Sequence, residues 1–154
     1  LEASLEEQRQ LLPECTLLKF HGALYNDAAE DATLAQQLAQ WSQRSGIFAI
    51  LAPPQSAMAQ AASNNLHLIR EGFADRSYQK TSEGFRLTPR HEYGALHHDP
   101  DLAISQIDSV ISQQTMPTNQ GKIAFACDTW CIHSDSPKAL VLAEGIRRRW
   151  PLQR

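Results

Sequence analysis

The chain has 154 residues and a mass of 17.2 kDa, the size of one ordinary domain, and no linker or repeat divides it. With 42% apolar and 20% charged residues it can build a core and is no disordered tail, and its net charge of −3 argues against general nucleic-acid binding. No apolar run approaches the ~20 residues of a membrane helix, and no basic start leads into an apolar stretch as in a signal peptide, so neither nucleic acid nor membrane is an expected partner.

Three cysteines, Cys15, Cys127 and Cys131, are an odd count and too few for a disulfide scaffold, which points to a reducing, cytoplasmic setting. Leu1 in place of a Met reads as a processed or truncated start. Residues 1–77 carry five basic and nine acidic groups, residues 78–154 nine and eight. The one basic cluster, Arg147-Arg148-Arg149 beside Trp150, reads as the solvated end of a last helix, where cations suit the helix dipole.

In chain order, residues 3–12 read as a helix ended by Pro13, and 16–20 (TLLKF) as a short strand. Residues 28–44 read as one helix with Leu34, Leu38 and Trp41 at helical spacing, stopped by Gly46. A buried-type strand follows at 47–51, then a helix from Pro53-Pro54 to about Ala62 and a strand at 66–69. Residues 72–98 are polar, with Gly72, Gly84, Pro89 and Gly94. They read as a long loop with room for short strands, of the kind that carries function. Asp99-Pro100 opens a helix to about Gln114, with Ala103, Ile107, Val110 and Ile111 on one face. Residues 123–133 read as an apolar strand, and Ser136-Pro137 opens a final helix. This alternation predicts an α/β fold with a parallel sheet.

Ligands bind beyond the C-terminal ends of strands in such folds, and three strands here run into polar clusters. These are residues 19–26 (KFHGALYN), 70–76 (REGFADR) and 131–137 (CIHSDSP). In extended chain, residues two apart share a face, so Lys19 and His21 project together, as do His133 and Asp135. Each cluster alone is more simply a helix cap or a surface ion pair. Three at three strand ends favour one rim suited to proton transfer and oxyanion stabilisation. Cys127, Cys131, His133 and Asp135 lack metal-site spacing, and the two cysteines read as buried structural thiols. His67 reads as a satisfied core residue and His97-His98 as a loop pair. Neither G-x-x-x-x-G-K-[ST] nor G-x-G-x-x-G occurs, so any nucleotide use is invisible to motifs.

The clusters resemble those of the LamB/YcsF family, the family of 5-oxoprolinase A subunits. Residues 19–26 are similar to K-P-H-G-A-L-Y-N. Glu71 to Arg76, with Tyr78-Gln79, are similar to E-x-F-A-D-R-x-Y-x. Residues 87–96 are similar to L-V-P-R…G-A-L/V, and 131–135 to C-[VL]-H-G-D. The resemblance runs in order from about Leu17 to Trp150, with Phe20 in place of the motif proline and Ser134 in place of the motif glycine. It implies part of a seven-stranded parallel (β/α) barrel related to polysaccharide deacetylases. It implies ATP-dependent opening of 5-oxoproline to L-glutamate, with 5-oxoprolinase subunits B and C as partners. On that basis Lys19, His21, Asp75 and Arg76 are expected catalytic residues, the two cations positioning phosphate and His21 or Asp75 acting as base. Asn26, Glu71, Tyr78, Arg90, His133 and Asp135 are expected to bind substrate, and no metal ligand is assigned.

The family's D-L-N-x-D-L-G-E, C-G-F-H-A-G-D and G-A-H-P motifs have no counterpart. About four strand–helix units are present, whereas an eight-unit barrel takes about 250 residues. The chain is therefore expected to be a single-domain C-terminal portion whose N-terminal strands are missing, with an open sheet edge and no turnover alone. Two other readings compete: a non-catalytic module that binds partner subunits, and a metal-dependent, deacetylase-like amide hydrolase.

Overall fold

A computed structural model describes residues 1–62, 66–82 and 84–151. They form two compact units, Leu1–Glu71 and Gly72–Arg154.

The first unit opens with α1 (Glu2–Leu11), β1 (Leu17–Lys19), α2 (Ala23–Glu30) and α3 (Ala32–Arg44). It continues through β2 (Ala49–Ala52), α4 (Ala57–Ala62) and β3 (His67–Phe73), whose last two residues belong to the second unit. β1 pairs with β2 and β2 with β3, all parallel, in the register Lys19↔Leu51 and Ala52↔Arg70. This is the parallel sheet the alternation predicts. Ile50 and Ala52 lie at its buried centre, while Ala35, Leu38, Ala39 and Trp41 give α3 its buried stripe.

The single helix expected over 28–44 is two. Asp31 ends α2 with extended dihedrals, and its carboxylate accepts from the backbone N–H of Thr33 (2.8 Å) and Leu34 (3.0 Å), starting α3 afresh. Asp31→Ala should cost about 1 kcal/mol, read as a lower urea midpoint at unchanged m; an unchanged midpoint would refute the cap. His67 is exposed and stacks on exposed Phe48 (5.8 Å, 12°), so it is no core histidine. It stands at the very start of β3, before the strand becomes buried.

The second unit holds β4 (Tyr78–Thr81), β5 (Gly84–Leu87), α5 (Pro100–Gln113), β6 (Thr115–Thr118), β7 (Gly121–Ala124), β8 (Thr129–Cys131) and α6 (Ala139–Arg149). Its sheet has the order β5-β4-β6-β7 and is not parallel throughout. β4–β5 and β6–β7 are antiparallel hairpins, and β4 meets β6 in parallel at one register pair, Tyr78↔Thr118. The strand expected over 123–133 is broken at 125–128, where Phe125 enters an aromatic cluster with Tyr78, Phe85 and Trp130. Cys127 and Cys131 beside that break are half-buried thiols rather than fully buried ones. α5 and α6 pack together: a Cβ on Gly145 would lie 3.0 Å from Ile104, and Arg149 pairs with Asp108 at 3.2 Å. Among the described residues no helix is long and apolar enough to cross a membrane.

Candidate functional site

Two polar clusters form at the ends of the strands, one in each unit. In the first, β1 carries Lys19 and β3 carries Glu71. The Lys19 ammonium lies 2.6 Å from the Glu71 carboxylate, whose other oxygen accepts from the Tyr25 hydroxyl at 2.8 Å. Glu71 is 3% exposed, so the two donors are what make an ionised carboxylate tolerable there. Phe20, which stands where the motif has proline, is buried and leaves Lys19 able to reach Glu71.

His21 and Asn26 do not join this pair, and both are exposed. β1 ends at Lys19, and Gly22 turns the chain at φ 63°, a conformation that suits glycine, so strand alternation does not extend to His21.

In the second cluster, buried Asp75 grips His133. Both carboxylate oxygens lie within reach of Nδ1, at 3.0 and 2.9 Å, and one also accepts the His133 backbone N–H at 2.9 Å. A carboxylate only accepts, so Nδ1 carries the proton. The ring lies against Phe73 (5.4 Å between centroids, 12° between planes). Among the described residues Nε2 has no partner. Asp135, expected to project with His133, instead pairs with Arg90 at 3.1 Å on the surface. That hydrogen bond holds the Asp135 carboxyl below the usual carboxylate range, so the pairing is present at neutral pH and is lost as pH falls through the lowered value. Ser134 is exposed.

Arg76 and Tyr78 are buried. Arg76 spans the 88–95 loop, donating to the Thr88 carbonyl at 2.7 Å and the Ala95 carbonyl at 3.3 Å. Burial, then the charge of Arg90, pushes its pKa below the ordinary value. The Tyr78 hydroxyl accepts the Phe73 N–H at 2.8 Å. A small pocket beside Asp75 is lined by His97, Pro100, Ile132, Ser136 and Lys138.

Sequence reasoning missed Gln106. Its amide nitrogen donates to the carbonyls of Phe73 (2.9 Å) and Arg76 (3.1 Å), and its oxygen accepts from His97 Nε2 at 3.0 Å. It thereby fixes the chain on both sides of Asp75. The available signal was a glutamine on the buried stripe of α5, between Ala103 and Ile107. Gln106→Leu would leave those carbonyls without this donor and should cost about 1–3 kcal/mol; a melting temperature equal to wild type would contradict it. Gly72 is required by close approach, since a Cβ there would lie 2.9 Å from the Trp130 ring and 3.1 Å from Cys127 Sγ.

Among the described residues no three His, Cys, Asp or Glu side chains come together as a metal site.

The LamB/YcsF family model matches residues 5–153. A 5-oxoprolinase A subunit of Bordetella pertussis (strain Tohama I) is 41% identical over 133 residues, covering 84% of this chain and 52% of the relative. The 5-oxoprolinase A subunit of Symbiobacterium thermophilum is 38% identical over 133 residues, with 84% and 50% covered. The crystal structure of a lactam utilization protein from Thermus thermophilus superposes with a TM-score of 0.74 at 25% identity, over 95% of this chain and 59% of that one. The chain spans about half the length of the curated relatives it matches.

Proposed function

Because the chain belongs to the LamB/YcsF family, we propose that it acts as the A subunit of a 5-oxoprolinase, opening the 5-oxoproline ring to L-glutamate at the expense of ATP together with subunits B and C. The observation that carries this reading is that relatives aligned over most of the chain are named as A subunits of 5-oxoprolinase. The polar clusters at strand ends support it, because the motif residues Lys19 and Glu71 meet in one and Asp75 and His133 in the other.

The chemistry accounts for the energy source. A five-membered lactam is a resonance-stabilised amide with little ring strain, and its nitrogen is a poor leaving group. Attack by water therefore needs an activated carbonyl and a base that takes the water's proton. Lys19 is ion-paired with Glu71, and Arg76 is committed to two carbonyls. Neither fits an open cradle for a triphosphate, and the nucleotide is assigned to the assembled enzyme rather than to these two cations. The barrel architecture related to polysaccharide deacetylases and a cytoplasmic location belong to the same proposal.

The test is glutamate release from 5-oxoproline by this chain mixed with subunits B and C and ATP. ATP-dependent release is expected. No release either by the chain or by a full-length A subunit in which the chain replaces the matching half, with B and C active beside the unaltered A subunit, overturns the reading.

A further inference from the structure

We propose that His133 is the base of the proposed ring opening and that Asp75 is the residue that positions it. The inference deepens the lactam-opening reading and rests on it.

Asp75 is the less available of the two groups to take a proton from water. Its two oxygens are occupied by His133 Nδ1 and by the His133 backbone N–H, and the carboxylate is buried. The same contacts fix the imidazole. With Nδ1 carrying the proton, Nε2 holds its lone pair, and stacking on Phe73 restricts rotation of the ring. The His133 side chain is 25% exposed against 7% for Asp75, so of the two it is the group that water can reach. Nucleophile-activating histidines are oriented by a third group in this manner.

ATP supplies the carbonyl activation that the proposed function requires, so the step begins on a lactam whose carbonyl oxygen carries the transferred phosphoryl group, ADP having left. As the oxygen of water bonds to that carbon, one of its protons moves to His133 Nε2. The imidazolium so formed is stabilised by the Asp75 carboxylate. The ring C–N bond then breaks, its electron pair goes to nitrogen, and the imidazolium returns the proton there, leaving an amine and an acyl phosphate, which a second water hydrolyses to a carboxylate and inorganic phosphate.

Other charges act on this ring. Asp135 lies two residues along and feels its charge, with Arg90 paired to that carboxylate. Arg76 interacts with Asp75 through its charge, while His97 and Lys138 line the pocket beside Asp75. Among the described residues Asp75 alone makes the direct contact with the ring nitrogen.

The experiment combines turnover of the chain with subunits B and C and ATP, and nitrogen-15 NMR of His133. Spectra of the wild type should show Nδ1–H and a bare Nε2. His133→Ala should lower kcat about 10²–10⁴-fold with a smaller change in KM, and added imidazole should restore part of it. Asp75→Asn should lower kcat more than it changes KM and should bring the Nε2–H tautomer of His133 into the nitrogen-15 spectrum, a change that a merely structural role would not produce. Wild-type kcat in His133→Ala, or the Nε2–H tautomer in the wild type, overturns the assignment alone. No glutamate release either by the wild-type chain or by the full-length A subunit that carries it overturns the activity on which the assignment rests, and the assignment falls with it.

Discussion

Glu71→Ala is expected to destabilise the first unit by about 2–4 kcal/mol, below the upper end for a broken buried ion pair because Lys19 is 20% exposed and can turn toward water. The substitution removes an acceptor from two donors at once. The buried Tyr25 hydroxyl loses its hydrogen bond to Glu71 at 2.8 Å, and the Lys19 ammonium loses the Glu71 carboxylate at 2.6 Å. The loss is therefore larger than the worth of the pair itself, since a buried donor that loses this acceptor keeps its desolvation cost. The double variant Lys19→Met, Glu71→Leu separates the two quantities. It removes both charges together and should recover most of the stability. Urea unfolding of wild type, single and double variants, followed by far-UV circular dichroism, measures this. A single variant within about 0.5 kcal/mol of wild type, or a double variant no better than the single, would count against the buried-pair account.

Phe125→Ala should cost about 3–5 kcal/mol in the second unit. Phe125 is 2% exposed, and its ring centroid lies 5.2 Å from Tyr78, 5.0 Å from Phe85 and 6.4 Å from Trp130. Deleting it removes its buried area and leaves a hole between rings anchored on β4, β5 and β8, which cannot all close inward. Phe125→Met keeps most of the volume and should cost less than half as much, because the flexible thioether fills irregular space. Near-UV circular dichroism during thermal unfolding reports on the same rings. A Phe125→Ala protein that keeps its near-UV spectrum and melts within about 2 °C of wild type would sink the prediction.

Much of the first unit was legible because its elements are set locally. Leu38 and Trp41 mark the buried side of α3, and apolar runs mark β1 and β2. Asp31 was not legible as a break, because alanines on both sides continue the helical pattern and only its capping bonds reveal the restart. The β6–β7 hairpin was missed through Pro117, which argues against a strand. It is tolerated because β4 pairs with β6 at Thr118 and not at Pro117, so no ladder bond to β4 is asked of the missing N–H. For the site, motif spacing placed Lys19, Glu71, Asp75 and His133 at strand ends, and the fold brings them together in pairs. The pairing could not be read from alternation. His133 turns to a carboxylate 58 positions earlier instead of acting with Asp135. Gln106 was hidden because its role is defined by backbone carbonyls, which carry no sequence signature.

The lone register pair between β4 and β6 has a mechanical consequence. Along that seam the backbone contributes almost nothing, and cohesion depends on the rings of Tyr78 and Phe125 lying across it. The sheet is in effect two hairpins glued by side chains, so each hairpin can open without unzipping the other. Amide exchange should accordingly fall into two blocks, 78–87 and 115–124, with separate opening free energies. The glue, more than either ladder, is where the second unit yields first under load.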